Sequence, residues 1–303
     1  MVRLRIFLAL VFFMVLTGCA SHKVNDQAGS RGSYLPVIKT QTVVFIHGMY
    51  LTPSVWQPWE AHFKNLGYKT YSPAWPLHED SVIEQNSAHP KGELAELTLP
   101  MVVQHYQTFI ETLEEPPILI GHSMGGLIVQ QLLAKNIGAG GVAINSAPPQ
   151  GVISMKLDFL KANWPHLSPF ASSSEPSQLT GEQFSFGFVN GENSDVQKQA
   201  FEKYVVPESR AIGKAALSSD GAVDYEVARV PLLMLSGGKD NTIPASLNYT
   251  NFEEYRDSPA LTDYKEFPER NHWTILQSDW ESLARYVQRW IKANERKNVY
   301  NEI

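Results

Sequence analysis

Short apolar runs that end at glycine or proline alternate with stretches of helical periodicity, and this alternation limits the fold more than any other feature. The runs are TVVFIHG (42–48), YKTYSPAW (68–75), PILIGHS (117–123), GGVAINSAP (140–148), VPLLMLSGG (230–238) and LTDYKEFP (261–268). Each has the length and β-branched character of a strand. Between them lie PSVWQPWEAHFKNLG (53–67), with Val55, Trp56, Trp59 and Phe63 near helical spacing, and GELAELTLPMVVQHYQTFIETLE (92–114), broken at Pro100. MGGLIVQQLLAKN (124–136), Ala245–Tyr255 and 273–292 complete the helices. Strands alternating with helices predict an α/β fold, a mostly parallel sheet covered on both faces. Residues 149–215 interrupt the pattern and predict an inserted cap. Its Phe159, Trp164, Phe170, Phe184, Phe186, Phe188 and Phe201 suit either an apolar pocket or the cap's own core.

One junction carries chemistry. In ILIGHSMGGLIVQ (118–130) a serine stands between two glycines where a buried strand turns into a helix. Gly121-His122-Ser123-Met124-Gly125 fits the G-x-S-x-G nucleophile elbow, whose sharp turn lifts the serine Oγ clear of the sheet edge. The glycines are required where side chains would strike neighbouring backbone, and the helix N-terminus turns amide donors toward developing negative charge.

A serine becomes a nucleophile only with a base, and the base needs an orienting acid. Asp240 follows the strand VPLLMLSGG, and His272 follows the last strand, which gives the chain order Ser, Asp, His. Asp240 also suits an ordinary turn in GGKDN, and His272 an ordinary helix entry. Asp220, Asp224 and Asp263 are poorer acids, because none directly follows a strand of that kind. The turn after TVVFIHG offers the backbone N–H of Met49, and the elbow that of Met124. Two such donors on a tetrahedral oxyanion are worth roughly 3 kcal/mol each. The His47 side chain reads as a structural hydrogen-bonding group.

The amino-terminal segment is of another kind. Arg3 and Arg5 precede an unbroken apolar run from Ile6 to Leu16, too short to span a bilayer, which needs roughly 20 residues. LTGC (16–19) follows and resembles the bacterial lipobox, which implies cleavage before Cys19, lipid on its thiol and an acylated amine. An ordinary signal peptide with an incidental cysteine is the plainer alternative. Cys19 is the sole cysteine, so intramolecular disulfides and cysteine-ligated zinc are excluded. Residues 1–18 are thus expected to be a signal peptide, 19–36 a lipidated cysteine and flexible tether, and 37–303 the folded domain. Ala20, rather than aspartate, after the cysteine favours the outer membrane of a Gram-negative cell envelope.

A formal charge of −6 without a basic block gives no support to nucleic-acid binding. No spaced His/Asp/Glu set suggests a metal, and no phosphate-cradling glycine loop suggests a cofactor. The blocks HG, GHSMGG, GGKD and NHW resemble the lipase/esterase-like members of the α/β-hydrolase superfamily over about residues 40–292. The resemblance implies Ser123, Asp240 and His272 as triad, Met49 and Met124 as oxyanion donors, and cleavage of carboxylic esters or lipids. The same fold hosts amidases, peptidases, thioesterases, perhydrolases and carbon–carbon hydrolases. A surface lipoprotein that keeps the fold without catalysis is the rival of another class. Little chain precedes TVVFIHG, so the superfamily's usual first two strands are expected to be absent or reduced.

Overall fold

The computed structural model describes residues 28–31, 37–88, 92–168, 172 and 175–295. Cys19, the apolar run before it and most of the expected tether lie outside the described residues. The strands are β1 (Ala28–Arg31), β2 (Thr42–Ile46), β3 (Lys69–Tyr71), β4 (Ile118–His122), β5 (Gly140–Ile144), β6 (Leu232–Gly237) and β7 (Thr262–Phe267). The helices are α1 (Gln57–Asn65), α2 (Val82–Ser87), α3 (Gly92–Ala95), α4 (Leu99–Glu111), α5 (Met124–Ala134), α6 (Leu157–Leu167), α7 (Gly181–Gly187), α8 (Ser194–Tyr204), α9 (Arg210–Gly213), α10 (Ala245–Glu254) and α11 (Trp280–Glu295).

The strands form one sheet in the order β1-β7-β6-β5-β4-β2-β3, parallel except for β1, which pairs antiparallel with β7. Every residue of β2, β4, β5 and β6 is buried, as continuous apolar strands between two helical layers must be. Toward the edges the pattern changes: β7, next to the edge strand β1, alternates buried and half-buried residues, and the edge strand β3 is largely exposed. A Cβ built on Gly140 would meet Ile38, whose amide is bonded to Asn294 of α11. One on neighbouring Gly141 would meet Val129 and Leu133 of α5. Adjacent strand residues point to opposite faces, so α11 and α5 cover opposite sides of the sheet. Leu283, Ala284, Val287, Trp290 and Ile291 give α11 its buried stripe.

Three expectations need correction. Residues 28–31, placed in the flexible tether, form the edge strand β1, held by backbone pairing that leaves no apolar signature. The segment before β2 therefore contributes a strand, but at the far edge of the sheet, beside β7. The strand expected over 68–75 is only Lys69–Tyr71, because Pro73 and Pro76 cannot donate to a ladder. The closing helix begins at Trp280; residues 273–279 are turns in which Leu276 and Gln277 both donate to the Trp273 carbonyl.

From β2 the chain moves outward to β3 and then returns to the other side of β2 as β4. The carboxyl ends of β2 and β4 thus flank a point where strand order reverses, which in open α/β sheets opens a crevice for ligands. The residues between β5 and β6 carry α6 to α9, which overlie this crevice.

Candidate active site

Ser123 stands between β4 and α5 with φ 57° and ψ −121°, a strained conformation for a residue with a Cβ. Its surroundings enforce the turn. Ser123 N donates to Ile144 O at 2.9 Å, and its carbonyl accepts Gly126 N and Ala147 N, both at 2.9 Å. A Cβ on Gly121 would lie 2.1 Å from Gly125 O, and one on Gly125 would lie 2.2 Å from Ile46 O. Both glycines of the elbow are therefore sites of backbone contact. Only glycine lets β2, β4 and α5 close on one another here.

Ser123, His272 and Asp240 come from three separate loops and meet. His272 Nε2 is 3.0 Å from Ser123 Oγ, and His272 Nδ1 is 2.6 Å from Asp240 Oδ2. The tautomer that satisfies both contacts has Nδ1–H donating to the carboxylate and Nε2 accepting from the serine hydroxyl. Asp240 Oδ1 accepts the amides of Thr242 and Ile243 at 2.8 and 2.7 Å, so every carboxylate oxygen is engaged. Burial pushes the Asp240 pKa up, against the pull of His272 and of these two amides. His122 Nε2–H donates to the His272 carbonyl at 2.8 Å, and Phe188 sets its ring edge-on to the imidazole at 4.8 Å. The His272 side chain and backbone are thus held on three sides.

The loops that carry Asp240 and His272 are drawn together by Asn145. Its Oδ1 accepts Gly237 N at 2.8 Å and its Nδ2 donates to Asn271 O at 3.0 Å, which ties the end of β6 to the residue before His272. Gly237 permits the approach, since a Cβ there would lie 2.5 Å from Arg270 O. The other aspartates stand elsewhere: Asp263 accepts from Trp290 Nε1, Asp224 accepts from Glu226 N, and the exposed Asp220 receives Gln131 on its carbonyl.

Met49 and Met124 line one cavity together with Ser123. Neither amide donates to a protein acceptor among the described residues. The β2 loop reaches the serine closely enough that a Cβ on Gly48 would lie 2.8 Å from Ser123 Cβ. His47 is buried, stacked on Trp75 at 4.7 Å, with Nδ1–H donating to Gly48 O and Nε2 accepting from Trp75 N. Burial and the neighbouring His78 push its pKa down to about 3, so it is a neutral support of this loop.

Sequence reasoning missed the clamp on the same loop. Tyr50, with φ 63°, donates its amide to Glu208 Oε2 at 3.4 Å, accepts Val206 N on its carbonyl at 3.0 Å, and pairs its hydroxyl with Ser177 Oγ at 2.8 Å. Glu208 and His78 are both fully buried, 3.3 Å apart. Burial alone would lower the His78 pKa, but the Glu208 carboxylate overrides it and the net shift is upward. The only signals in the sequence were isolated polar residues in irregular segments, which do not announce a pair.

The cavity has an empty volume of about 780 Å³, open mouth included. Val152, Phe159, Leu167, Leu179, Phe188 and Ile243 make its walls largely apolar. Of the cap aromatics, Phe159 and Phe188 face this cavity, whereas Phe184 packs against Phe188, Phe201 and Trp273 in the core. Phe186 lies under Lys161, Trp164 is exposed, and Phe170 lies outside the described residues.

Solved structures with the same architecture include a polyneuridine aldehyde esterase, at 15% identity and a TM-score of 0.60, covering 83% of this chain and 99% of that one. A monoacylglycerol lipase of Paleococcus ferrophilus is similar at 20% identity and a TM-score of 0.60, over 89% of this chain and 99% of its own. A pyrethroid hydrolase from Sphingobium faniae JZ-2 gives 15% identity and a TM-score of 0.60, over 84% and 98%. At such identities the likeness establishes the fold alone. No curated protein matches the chain in sequence. Residues 43–286, from the first buried strand into the last helix, match the alpha/beta hydrolase family, and to that family the chain belongs.

Proposed function

We propose that this protein is a serine hydrolase that cleaves carboxylic esters bearing an apolar group, and that lipid on Cys19 holds it at a membrane. The observation that carries the catalytic reading is the continuous relay Ser123 Oγ–His272–Asp240, with contacts of 3.0 and 2.6 Å. In the proposed reaction Ser123 Oγ bonds to the ester carbonyl carbon while His272 Nε2 takes the hydroxyl proton. Asp240 keeps the imidazole in the required tautomer and stabilises its charged form. The amides of Met49 and Met124 hold the oxyanion. Collapse breaks the bond to the alcohol, which leaves with the proton from His272. Water, deprotonated by the same base, then frees the acid from Ser123.

The apolar cavity beside Ser123 supports an aliphatic or aromatic acyl group over a charged one. The names of the structural relatives, an esterase and a lipase among them, agree with ester chemistry. The anchor rests on Arg3, Arg5, the apolar run and LTGC alone. A screen of nitrophenyl esters of graded acyl length tests the reading. Turnover with an initial burst of alcohol, lost in Ser123→Ala, is expected. Turnover that survives Ser123→Ala unchanged would overturn it.

A further inference from the structure

The cap carries large apolar side chains on its outside. Ile153, Met155 and Leu157 are 64%, 78% and 82% exposed, and Trp164 and Leu217 are 53% and 63% exposed. In α6, Phe159, Ala162, Asn163 and Leu167 line the cavity, whereas Leu157, Lys161 and Trp164 follow one another along the opposite stripe. Ile153 and Leu217 belong to both sets: they line the cavity and are exposed, so they mark its mouth. Five exposed large apolar side chains in and beside the cap, two of them at the opening of an apolar cavity, exceed the single scattered exposures of ordinary soluble surface.

The strand order says what lies opposite it. Parallel strands β2 to β7 all point their carboxyl ends at the catalytic edge, where Ser123, Asp240 and His272 meet. β1 runs against β7, with Ala28 beside Lys265 and Arg31 beside Thr262. The amino end of β1 therefore leaves the sheet at the catalytic edge. Eight residues, Ala20–Gln27, separate that point from Cys19, and a chain of that length reaches at most about 29 Å. A lipid on Cys19 would therefore tether the protein to the bilayer from a point at the catalytic edge of the sheet.

We infer that the cap face formed by residues 153–157 and the outer stripe of α6 docks on a lipid bilayer, and that ester substrates pass from the bilayer into the cavity between Ile153 and Leu217. The substrate class is thereby a membrane-borne lipid ester. Lys156, Asp158 and Lys161 leave this stretch with little net charge, so apolar contact carries the docking and anionic lipid is not required. Trp164 suits the interface, where an amphipathic ring sits at the headgroup level. The substrate route rests on the ester-hydrolase reading, and the bilayer's position rests on the lipidated Cys19.

The test uses the full chain reconstituted in vesicles of phosphatidylethanolamine and phosphatidylglycerol, some containing a lipid with a brominated acyl chain. Of the seven tryptophans Trp164 is the exposed one and lies on the docking face, whereas Trp280 is half-buried on another part of the fold and the rest are buried, so quenching lost in Trp164→Phe reports this face. Quenching in the native protein that disappears in Trp164→Phe is expected; equal quenching in both, or none, would overturn the docking face. The double variant Met155→Ser/Leu157→Ser should lose about 10-fold or more in hydrolysis of a vesicle-borne long-chain ester, yet stay within about 2-fold on a water-soluble short ester. An equal loss on both substrates would mean a damaged cap and would refute the route. If the native protein hydrolysed neither ester, the hydrolase reading would fall while quenching still decided the docking face.

Discussion

Replacing Asp240 by asparagine reverses one hydrogen-bonding group and leaves the shape of the site almost unchanged. The asparagine Oδ1 can keep both backbone contacts, to Thr242 N and Ile243 N at 2.8 and 2.7 Å. Its NH2 then stands where Oδ2 stood, 2.6 Å from His272 Nδ1. Two donors cannot face each other at that distance, so the ring must move its proton to Nε2. That proton points at Ser123 Oγ, 3.0 Å away, and the lone pair that should accept the serine proton is gone. A reversed tautomer in a Ser–His–Asp site costs about 10⁴ in kcat, or about 5.5 kcal/mol of transition-state stabilisation. Steady-state hydrolysis of a short nitrophenyl ester should show that loss in kcat with KM changed by less than about 3-fold. Thermal unfolding should show no loss of stability. Burial raises the Asp240 pKa, so the carboxyl favours folding at low pH, and that contribution is lost as pH rises from its unfolded value through its folded one. The asparagine variant should therefore match or exceed the native Tm at neutral pH, and its advantage should shrink on acidification. A nearly silent Asp240→Asn, with turnover abolished instead by a change at Asp220 or Asp224, would refute the assignment.

Other predictions follow from the same geometry. Gly121→Ala drives a Cβ into Gly125 O and should cost about 3 kcal/mol, near the upper end of overpacking penalties, lowering Tm by roughly 6–12 °C in a scan. Glu208→Gln removes the charge that holds Tyr50 N and His78, and should reduce kcat about 10-fold with little change in KM, because it loosens the loop carrying Met49. The His78 pKa is raised in the fold, so its ion pair stabilises fully below about pH 6.5 and is lost as pH rises through the folded value. Stability against pH should show this fall in the native protein and not in Glu208→Gln. Cys19→Ser should leave unprocessed precursor or protein released from membranes; normal membrane retention with palmitate labelling in that variant would remove the anchor.

The parts of this protein legible in its sequence are those that physics writes as runs and spacings. Buried parallel strands must be apolar on both faces, so TVVFIHG, PILIGHS and VPLLMLSGG announce themselves. The elbow is legible because backbone contact at Gly121 and Gly125 tolerates no side chain. Asp240 and His272 are legible through strand order, which brings distant loops to one edge. What pairs by backbone alone is silent: AGSR in β1 has no apolar period, yet it completes the sheet. Buried polar partners are silent as well. Asn145, Glu208 and His78 sit in loops or at strand ends, and their roles exist only once the chain has folded. Nothing in the spacing of the cap distinguished Phe159, which faces the cavity, from Phe184, which packs in the core.

The most direct measurement of the central claim is covalent labelling of the native protein with a fluorophosphonate, followed by intact mass and peptide mapping. A serine activated by His272 should take up one phosphonyl group, on the peptide that contains Ser123, with labelling abolished in Ser123→Ala and strongly slowed in His272→Ala. An adduct on another residue, or ester turnover that persists while Ser123 remains unmodified, would contradict the account.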